Sequence, residues 1–258
     1  MVAAKLSTAI LLAAGRGTRL GDLTTNAPKP MLEIAGAPLI SHIVSALAGA
    51  GLSRFVVVTG YLSEQIEDWA KTFAAENTAI QISTVRQPEL NGTGGALLSA
   101  KDLIDGGANF LIGFGDILMD DANYSRFVDD ARKKSYDLML AVNRVKDPYR
   151  GAAVYVNESM RVERIVEKPA PGTSRTNWNN AGLFATGPII FDYVERLAPS
   201  SRGEIELPGA IAQMINDGRV VRAIDIRGFW SDIGTPQDLE IARTRFKAKH
   251  RTKQSSRR

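Results

Sequence analysis

The chain has 258 residues, of which 44% are apolar and 23% charged, and it contains no cysteine. That length admits one large domain, and the lack of cysteine excludes disulfides, thiolate metal sites and cysteine nucleophiles. The net charge of +4 does not indicate a nucleic-acid partner. Lys247, Lys249, Arg251, Lys253, Arg257 and Arg258 lie in a segment without acids, and removing those six charges leaves the rest of the chain at −2. No apolar run approaches the roughly 20 residues of a membrane span. The N-terminus has no basic segment leading into a long apolar core and a cleavage site, so no membrane partner is expected and the cytoplasm is the expected compartment.

The first half alternates strand and helix patterns. Ala9–Ala13 is an apolar run, and Leu39–Ala50 reads as a helix with Ile40, Ile43, Val44 and Leu47 on one face. Phe55–Thr59 is a β-branched run suited to a buried parallel strand. Glu64–Phe73 reads as helix, Ile80–Val85 as strand, Gly94–Leu103 as helix, Asn109–Phe114 as buried strand and Tyr124–Lys134 as helix. This rhythm predicts a mostly parallel sheet with helices on both faces. In the second half, Leu138–Val142, Ala152–Val156, Val162–Val166 and Ala181–Thr186 read as strands separated by turn residues rather than helices. Helices are expected over Pro188–Arg196, Ile205–Asn216 and Pro236–Lys247, the last capped by Thr235 with Pro236 in its first turn. The expectation is one α/β domain over 1–246, with a first half to about 137, a second half from about 138, and a basic, disordered tail over 247–258.

The segment Leu11-Leu-Ala-Ala-Gly-Arg-Gly-Thr-Arg-Leu20, followed by Pro28-Lys29-Pro30, is an apolar strand entering a glycine loop with fixed positive charge. Backbone turning at Gly15 and Gly17 frees amide N–H groups for phosphate oxygens, and Arg16, Arg19 and Lys29 add cations. It is not a P-loop, for no Gly-Lys-Ser/Thr ending follows. Nor is it a dinucleotide fingerprint, for Leu20 replaces the third glycine. Gln87 and Gly92-Thr-Gly-Gly95 form a second glycine loop ahead of a helix. Two carboxylates end apolar segments far apart in sequence, Asp116 in Gly113-Phe-Gly-Asp116 and Asp232 in Trp230-Ser-Asp-Ile-Gly-Thr-Pro236. Parallel sheets bind ligands at such strand ends.

These segments together resemble the sugar-1-phosphate nucleotidylyltransferases, whose signature runs L-A-A-G-x-G-T-R-L…P-K-P. Tyr149-Arg150-Gly151, Val166-Glu-Lys-Pro169 and Asn179-Asn-Ala-Gly182 are similar to that family's sugar-site segments. One departure is Arg150, standing where many relatives have tyrosine directly before the glycine. The resemblance implies a Rossmann-like nucleotidyltransferase fold of the GT-A type. It implies transfer of a nucleotidyl group from an NTP to a sugar 1-phosphate, with release of pyrophosphate and with magnesium as cofactor. It assigns Leu12, Ala13, Ala14, Gly15, Gly17, Thr18, Gln87, Gly92 and Thr93 to the nucleotide, and Gly151, Glu167 and Asn180 to the sugar. Asp116 and Asp232 are assigned to the metal, and Arg19, Lys29 and Lys168 to charge neutralisation. An amide at Gln87 offers one donor and one acceptor, which suits uracil or thymine first, cytosine second by flipping the amide, and guanine third. A CTP- or GTP-using sugar- or polyol-phosphate enzyme remains an alternative, as does a non-catalytic nucleotide-sugar sensor. The strand end Gly-Phe-Gly-Asp116 argues against an Asp-x-Asp glycosyltransferase. No hexapeptide repeat is present, so no coupled acetyltransfer is expected. A homo-oligomer is admitted by the sequence but not indicated by it.

Overall fold

The computed structural model describes residues 6–255. In chain order its elements are β1 (Thr8–Leu12), β2 (Glu33–Ile34), β3 (Ala37–Pro38), α1 (Leu39–Gly49), β4 (Arg54–Thr59), α2 (Ser63–Glu76), β5 (Gln81–Arg86), α3 (Thr93–Ser99), β6 (Phe110–Phe114), β7 (Ile117–Met119), α4 (Asp121–Lys133), β8 (Leu138–Arg144), β9 (Ala152–Val156), β10 (Val162–Glu167), β11 (Trp178–Thr186), α5 (Ile189–Glu195), α6 (Leu207–Asn216), β12 (Val221–Asp225), β13 (Trp230–Asp232) and α7 (Pro236–Ser255). A nine-stranded sheet runs β10-β9-β11-β6-β1-β4-β5, with β8 paired to β11 and β12 to β8.

The strands of the first half, β6, β1, β4 and β5, pair in parallel. β11 then joins β6 antiparallel and brings the second half into the same sheet. Alternation along β1 shows why the run is apolar throughout. Ala9 and Leu11 face one core with residues of α1, α2, α4 and α7, whereas Ile10 and Leu12 face a second core with α3, α5 and α6. No helix among the described residues is long and apolar enough to cross a membrane.

Three sequence expectations shift. The helix read over Gly94–Leu103 is α3, ending at Ser99, followed by a separate 3₁₀ turn at Lys101–Leu103. The helix expected from Ile205 starts at Leu207, because Ile205 is held by backbone pairing: its N–H donates to Asn91 O (2.6 Å) and its C=O accepts from Gly94 N (2.7 Å). The final helix runs past Lys247 to Ser255, so the segment set apart as a tail begins as its continuation. Residues 256–258 lie outside the described residues.

The short strands β7, β12 and β13 are not legible in the sequence. The β7–β13 pair decides the most: Asp232 is opposite Ile117, and Ile233 N donates to Asp116 O at 3.0 Å. The C-terminal carboxylate is thereby fastened beside the end of β6. α7 follows at once, and Thr235 and Asp238 cap it reciprocally. Asp238 N donates to Thr235 Oγ1 (3.2 Å), and Asp238 Oδ2 accepts from Thr235 Oγ1 (2.7 Å) and Gly234 N (3.3 Å). Thr235→Ala removes this cap and should cost about 1 kcal/mol, a fall in Tm of roughly 2–4 °C for a chain of this size. A thermal melt superimposable on the wild type would show that the cap does not hold the helix start.

Candidate active site

A single cavity of about 1250 Å³ opens along the C-terminal ends of the parallel strands. Leu90, Tyr149 and Ile241, three of the four large apolar side chains exposed among the described residues, stand on its wall. Their gathering there marks a ligand surface rather than scattered exposure.

The loop after β1 forms one side. Ala13 and Ala14 are buried and tied to the next strand by Ala13 N to Val58 O (2.9 Å) and Tyr61 N to Ala14 O (3.0 Å). Leu12, Ala14, Gly15, Arg16 and Arg19 reach the cavity, whereas Ala13, Gly17, Thr18 and Lys29 lie off its wall. The expected sharp turn at Gly15 is absent, since only Gly17 has positive φ (65°). A Cβ on Gly15 would meet open space, while one on Gly17 would press on Lys29 Cβ at 3.2 Å. Gly15 thus leaves room in the cavity, and Gly17 makes room for Lys29.

Lys29 is 5% exposed. Its ammonium donates to Asp116 Oδ2 at 2.7 Å and to Asp232 Oδ1 at 3.0 Å. Burial works against its charge, but the two carboxylates outweigh that, and its pKa is held above the ordinary lysine value. The lysine side chain is 7% exposed, against 35% and 36% for the aspartates. Lys29 therefore backs the carboxylates from beneath instead of facing arriving anions directly. Arg19 Nη2 lies 3.6 Å from Asp232 Oδ2 and its side chain is 58% exposed. A Cβ at Gly234 would come within 3.0 Å of the Arg19 guanidinium, the far end of an exposed side chain.

Across β5, Gln87 is buried at 7% exposure. Its Nε2 donates to Asn91 Oδ1 (3.0 Å) and to Gly92 O (3.2 Å). A backbone carbonyl only accepts, so this contact fixes the amide orientation and leaves Oε1 as the free polar atom. The two-point donor and acceptor edge expected of Gln87 is therefore reduced to an acceptor. Gly92 does line the cavity, but its glycine identity has a second cause: φ is 105° and a Cβ would strike Ile205 O at 2.6 Å. The helix-entry N–H of Gly94 is taken by Ile205 O.

On the far side stand Gly151, Glu167, Lys168 and Asn180. The N–H of Gly151, a residue the resemblance assigns to the sugar, donates to Pro148 O (3.2 Å). A Cβ at Gly151 would strike Asn179 Oδ1 at 2.4 Å, so packing explains this glycine too. Asn180 Oδ1 accepts from Gly182 N (3.0 Å), which turns its amino group into the available donor. Lys168 has φ of 42° and its Nζ lies 3.8 Å from Glu167 Oε1.

The nucleotidyl transferase family profile matches residues 8–249. The chain belongs to the nucleotidyl transferase family. Among curated relatives, the bifunctional protein GlmU of Methanococcus maripaludis is 33% identical over 238 residues, covering 92% of this chain and 54% of that protein. This transferase thus spans about half the length of the GlmU proteins it matches. The UTP–glucose-1-phosphate uridylyltransferase AglF of Haloferax volcanii is 34% identical over 240 residues, covering 92% of this chain and 96% of AglF. A UDP-glucose pyrophosphorylase structure, complexed with UDP-glucose, superimposes with TM-score 0.83 over 95% of this chain and 100% of that one, at 23% identity. That likeness shows the fold.

Sequence reasoning missed the segment Arg202–Glu206 of this nucleotidyl transferase family member, reading it only as a helix start. Glu204 and Glu206 line the cavity, and Arg202 sits behind them, paired with Glu206, 3.8 Å from Glu204 and 4.0 Å from Glu167. The alternation of charge in Arg202-Gly-Glu-Ile-Glu206 was the available signal. Burial first, then the Glu206 charge, push the Glu167 carboxyl up to about 7, against the pull of Lys168 and Arg202. Because the folded value exceeds the ordinary 4.5, the folded chain holds an extra proton between the two, and stability falls as pH rises through that window. Glu167→Gln is neutral throughout. Its Tm should gain on the wild type as pH rises from about 5 to about 8, and a Tm difference independent of pH would show an ordinary carboxyl.

Proposed function

We propose that this chain transfers a nucleotidyl group from an NTP, with UTP or dTTP favoured, to a sugar 1-phosphate, giving an NDP-sugar and pyrophosphate. The observation that carries this reading is the set of groups brought to one cavity. One cavity gathers the Gly15 loop and Gln87, the Asp116–Asp232 pair held over Lys29, and Glu167, Lys168 and Asn180. The Haloferax relative, named for UTP and glucose 1-phosphate and matched over nearly its whole length, supports the same choice.

An oxygen of the sugar phosphate attacks the α-phosphorus of the NTP; the new P–O bond forms as the bond to the β-phosphate bridging oxygen breaks and pyrophosphate leaves. The nucleophile is already an anion, so no general base is needed, and catalysis rests on positioning and charge. Arg19, exposed at the loop, is placed for the leaving pyrophosphate, and Lys168 for the phosphate of the sugar. Asp116 and Asp232 converge closely enough to share one ammonium, and their oxygens fit magnesium, which takes one or two carboxylates together with phosphate oxygens. Magnesium held there supplies neutralisation of phosphate charge. Glu167 and the Asn180 amino group meet sugar hydroxyls as acceptor and donor.

The free Gln87 Oε1 accepts a ring N–H. Uracil and thymine N3–H supply one, and so does guanine N1–H; cytosine N3 carries no hydrogen, and the Gly92 carbonyl prevents the amide from flipping to suit it. A matrix of NTPs against sugar 1-phosphates, read by pyrophosphate release, tests the whole reading. Turnover with UTP or dTTP and little with CTP is expected, and no pyrophosphate from any pair would refute it. Asp116→Asn and Asp232→Asn should each lower kcat at least about a hundredfold with the fold retained, the scale of one strong transition-state contact. Near-wild-type rates in magnesium would remove that residue from the site. Gln87→Glu sets a carboxylate against Gly92 O and Asn91 Oδ1. It should therefore lower kcat/KM for every NTP by roughly ten- to a hundredfold, whereas a clean switch toward GTP would mean that Nε2 reads the base.

A further inference from the structure

Thr93 belongs to the loop assigned to the nucleotide, yet its hydroxyl points elsewhere. Thr93 Oγ1 accepts a hydrogen bond from Leu207 N at 2.9 Å. Leu207 is the first residue of α6, and Glu206 at its N-cap provides no side-chain cap of its own. Thr93 therefore caps α6 from a different element, doing from the neighbouring loop what an N-cap side chain does within a helix. Two backbone bonds complete the attachment, Ile205 N to Asn91 O and Gly94 N to Ile205 O. The stretch Asn91–Gly94 and the stretch Ile205–Leu207 are joined by three hydrogen bonds, and Gly92 is glycine partly because Ile205 O comes so close. Glu204 and Glu206 project from this same stretch into the cavity on the side of Glu167, with Arg202 bracing all three carboxylates.

We propose that Thr93 is a positioning residue for the sugar end of the cavity: through Leu207 it sets the register of the Arg202–Glu206 segment, and so couples occupation of the base loop to affinity for the sugar 1-phosphate. The inference rests on the nucleotidyl-transfer reading above. Bases arriving at Gln87 and Gly92 order the loop, and the three bonds pass that order to Glu204 and Glu206. Such coupling is reciprocal, so a sugar 1-phosphate bound first tightens the nucleotide by the same factor.

The test uses the full chain with Thr93→Val, which keeps the β-branch and removes the acceptor, and Thr93→Ser, which restores it. Hydrogen exchange is measured with and without UTP, dTTP, CTP and GTP. In the wild type an NTP should protect peptides covering 87–92 and also those covering 202–207. In Thr93→Val the first protection should persist and the second should be lost, with Thr93→Ser recovering it. Steady-state kinetics should agree: Thr93→Val raises KM for the sugar 1-phosphate at saturating NTP about tenfold, the scale of a buried N–H left unpaired, and KM for the NTP at saturating sugar 1-phosphate by a similar factor, while the Kd of the NTP alone is much less affected. If no NTP protects 87–92 in the wild type, the nucleotide assignment itself falls. If 87–92 are protected but 202–207 respond equally in wild type and Thr93→Val, or if the Kd of the NTP alone rises as much as the sugar-phosphate KM, the coupling falls and the nucleotide reading stands.

Discussion

The ammonium of Lys29, buried between Asp116 and Asp232, is the constraint on which the site depends. Desolvating a charge costs several kcal/mol unless it is matched by well-placed partners. Here the match requires residues from three distant stretches of chain to meet at one point. Asp116 is delivered by the end of β6, Asp232 by the β7–β13 pair, and Lys29 by a 3₁₀ turn between two prolines. Gly17 at positive φ lets the β1 loop close over the lysine stem. The arrangement compensates the cation and leaves one net negative charge between two carboxylates that still face the cavity. A metal–phosphate complex is attracted to such a surface, while the lysine keeps the acids from repelling each other apart.

The cavity is long because β11 inserts antiparallel beside β6. In a purely parallel sheet the strand ends would define one crevice near the switch point. The antiparallel strand instead turns the Asn179–Gly182 stretch back toward that crevice, where Asn180 and the end of β10 continue the same wall. The cavity thereby takes in both the Asp116–Asp232 pair and the Glu167, Lys168 and Asn180 side chains. The register break in β11 between Asn180 and Phe184 occurs where Gly182 has φ of 77°. A Cβ there would strike Ile117 Cδ1 at 2.3 Å, so the bulge that aims Asn180 also seats β7.

Alternation of strand and helix patterns made the first half of the fold legible, because each strand there is buried on both faces and reads as a continuous apolar run. The motif residues Arg19, Asp116, Gln87, Glu167 and Asn180 were legible as a set because the fold gathers the ends of these runs at one edge. What escaped the reading depends on tertiary pairing. β7 and β13 are three residues each and have no period long enough to see. Ile205 lies two residues before a helix and is paired through its backbone with the Asn91–Gly94 loop. Gly92 and Gly151 were legible as substrate-site positions, but not the packing that also requires glycine there: a Cβ at either would meet protein atoms within 2.6 Å.

The cations of the site divide by burial, and that division follows from the chemistry. A reaction between two phosphates needs positive charge that arrives with the substrates and leaves with the products, and also a fixed frame that survives each cycle. Lys29, 7% exposed and doubly paired, can serve only as frame, since moving it would expose an unmatched ammonium in a buried place. Arg19 at 58% exposed and Lys168 at 43% keep their freedom, and their contacts to Asp232 (3.6 Å) and Glu167 (3.8 Å) are long and solvated. Surface pairs of that kind are worth little, so exchanging a carboxylate for a phosphate costs little. The weakness of these two ion pairs leaves both cations on the cavity wall free to exchange a carboxylate for another anion.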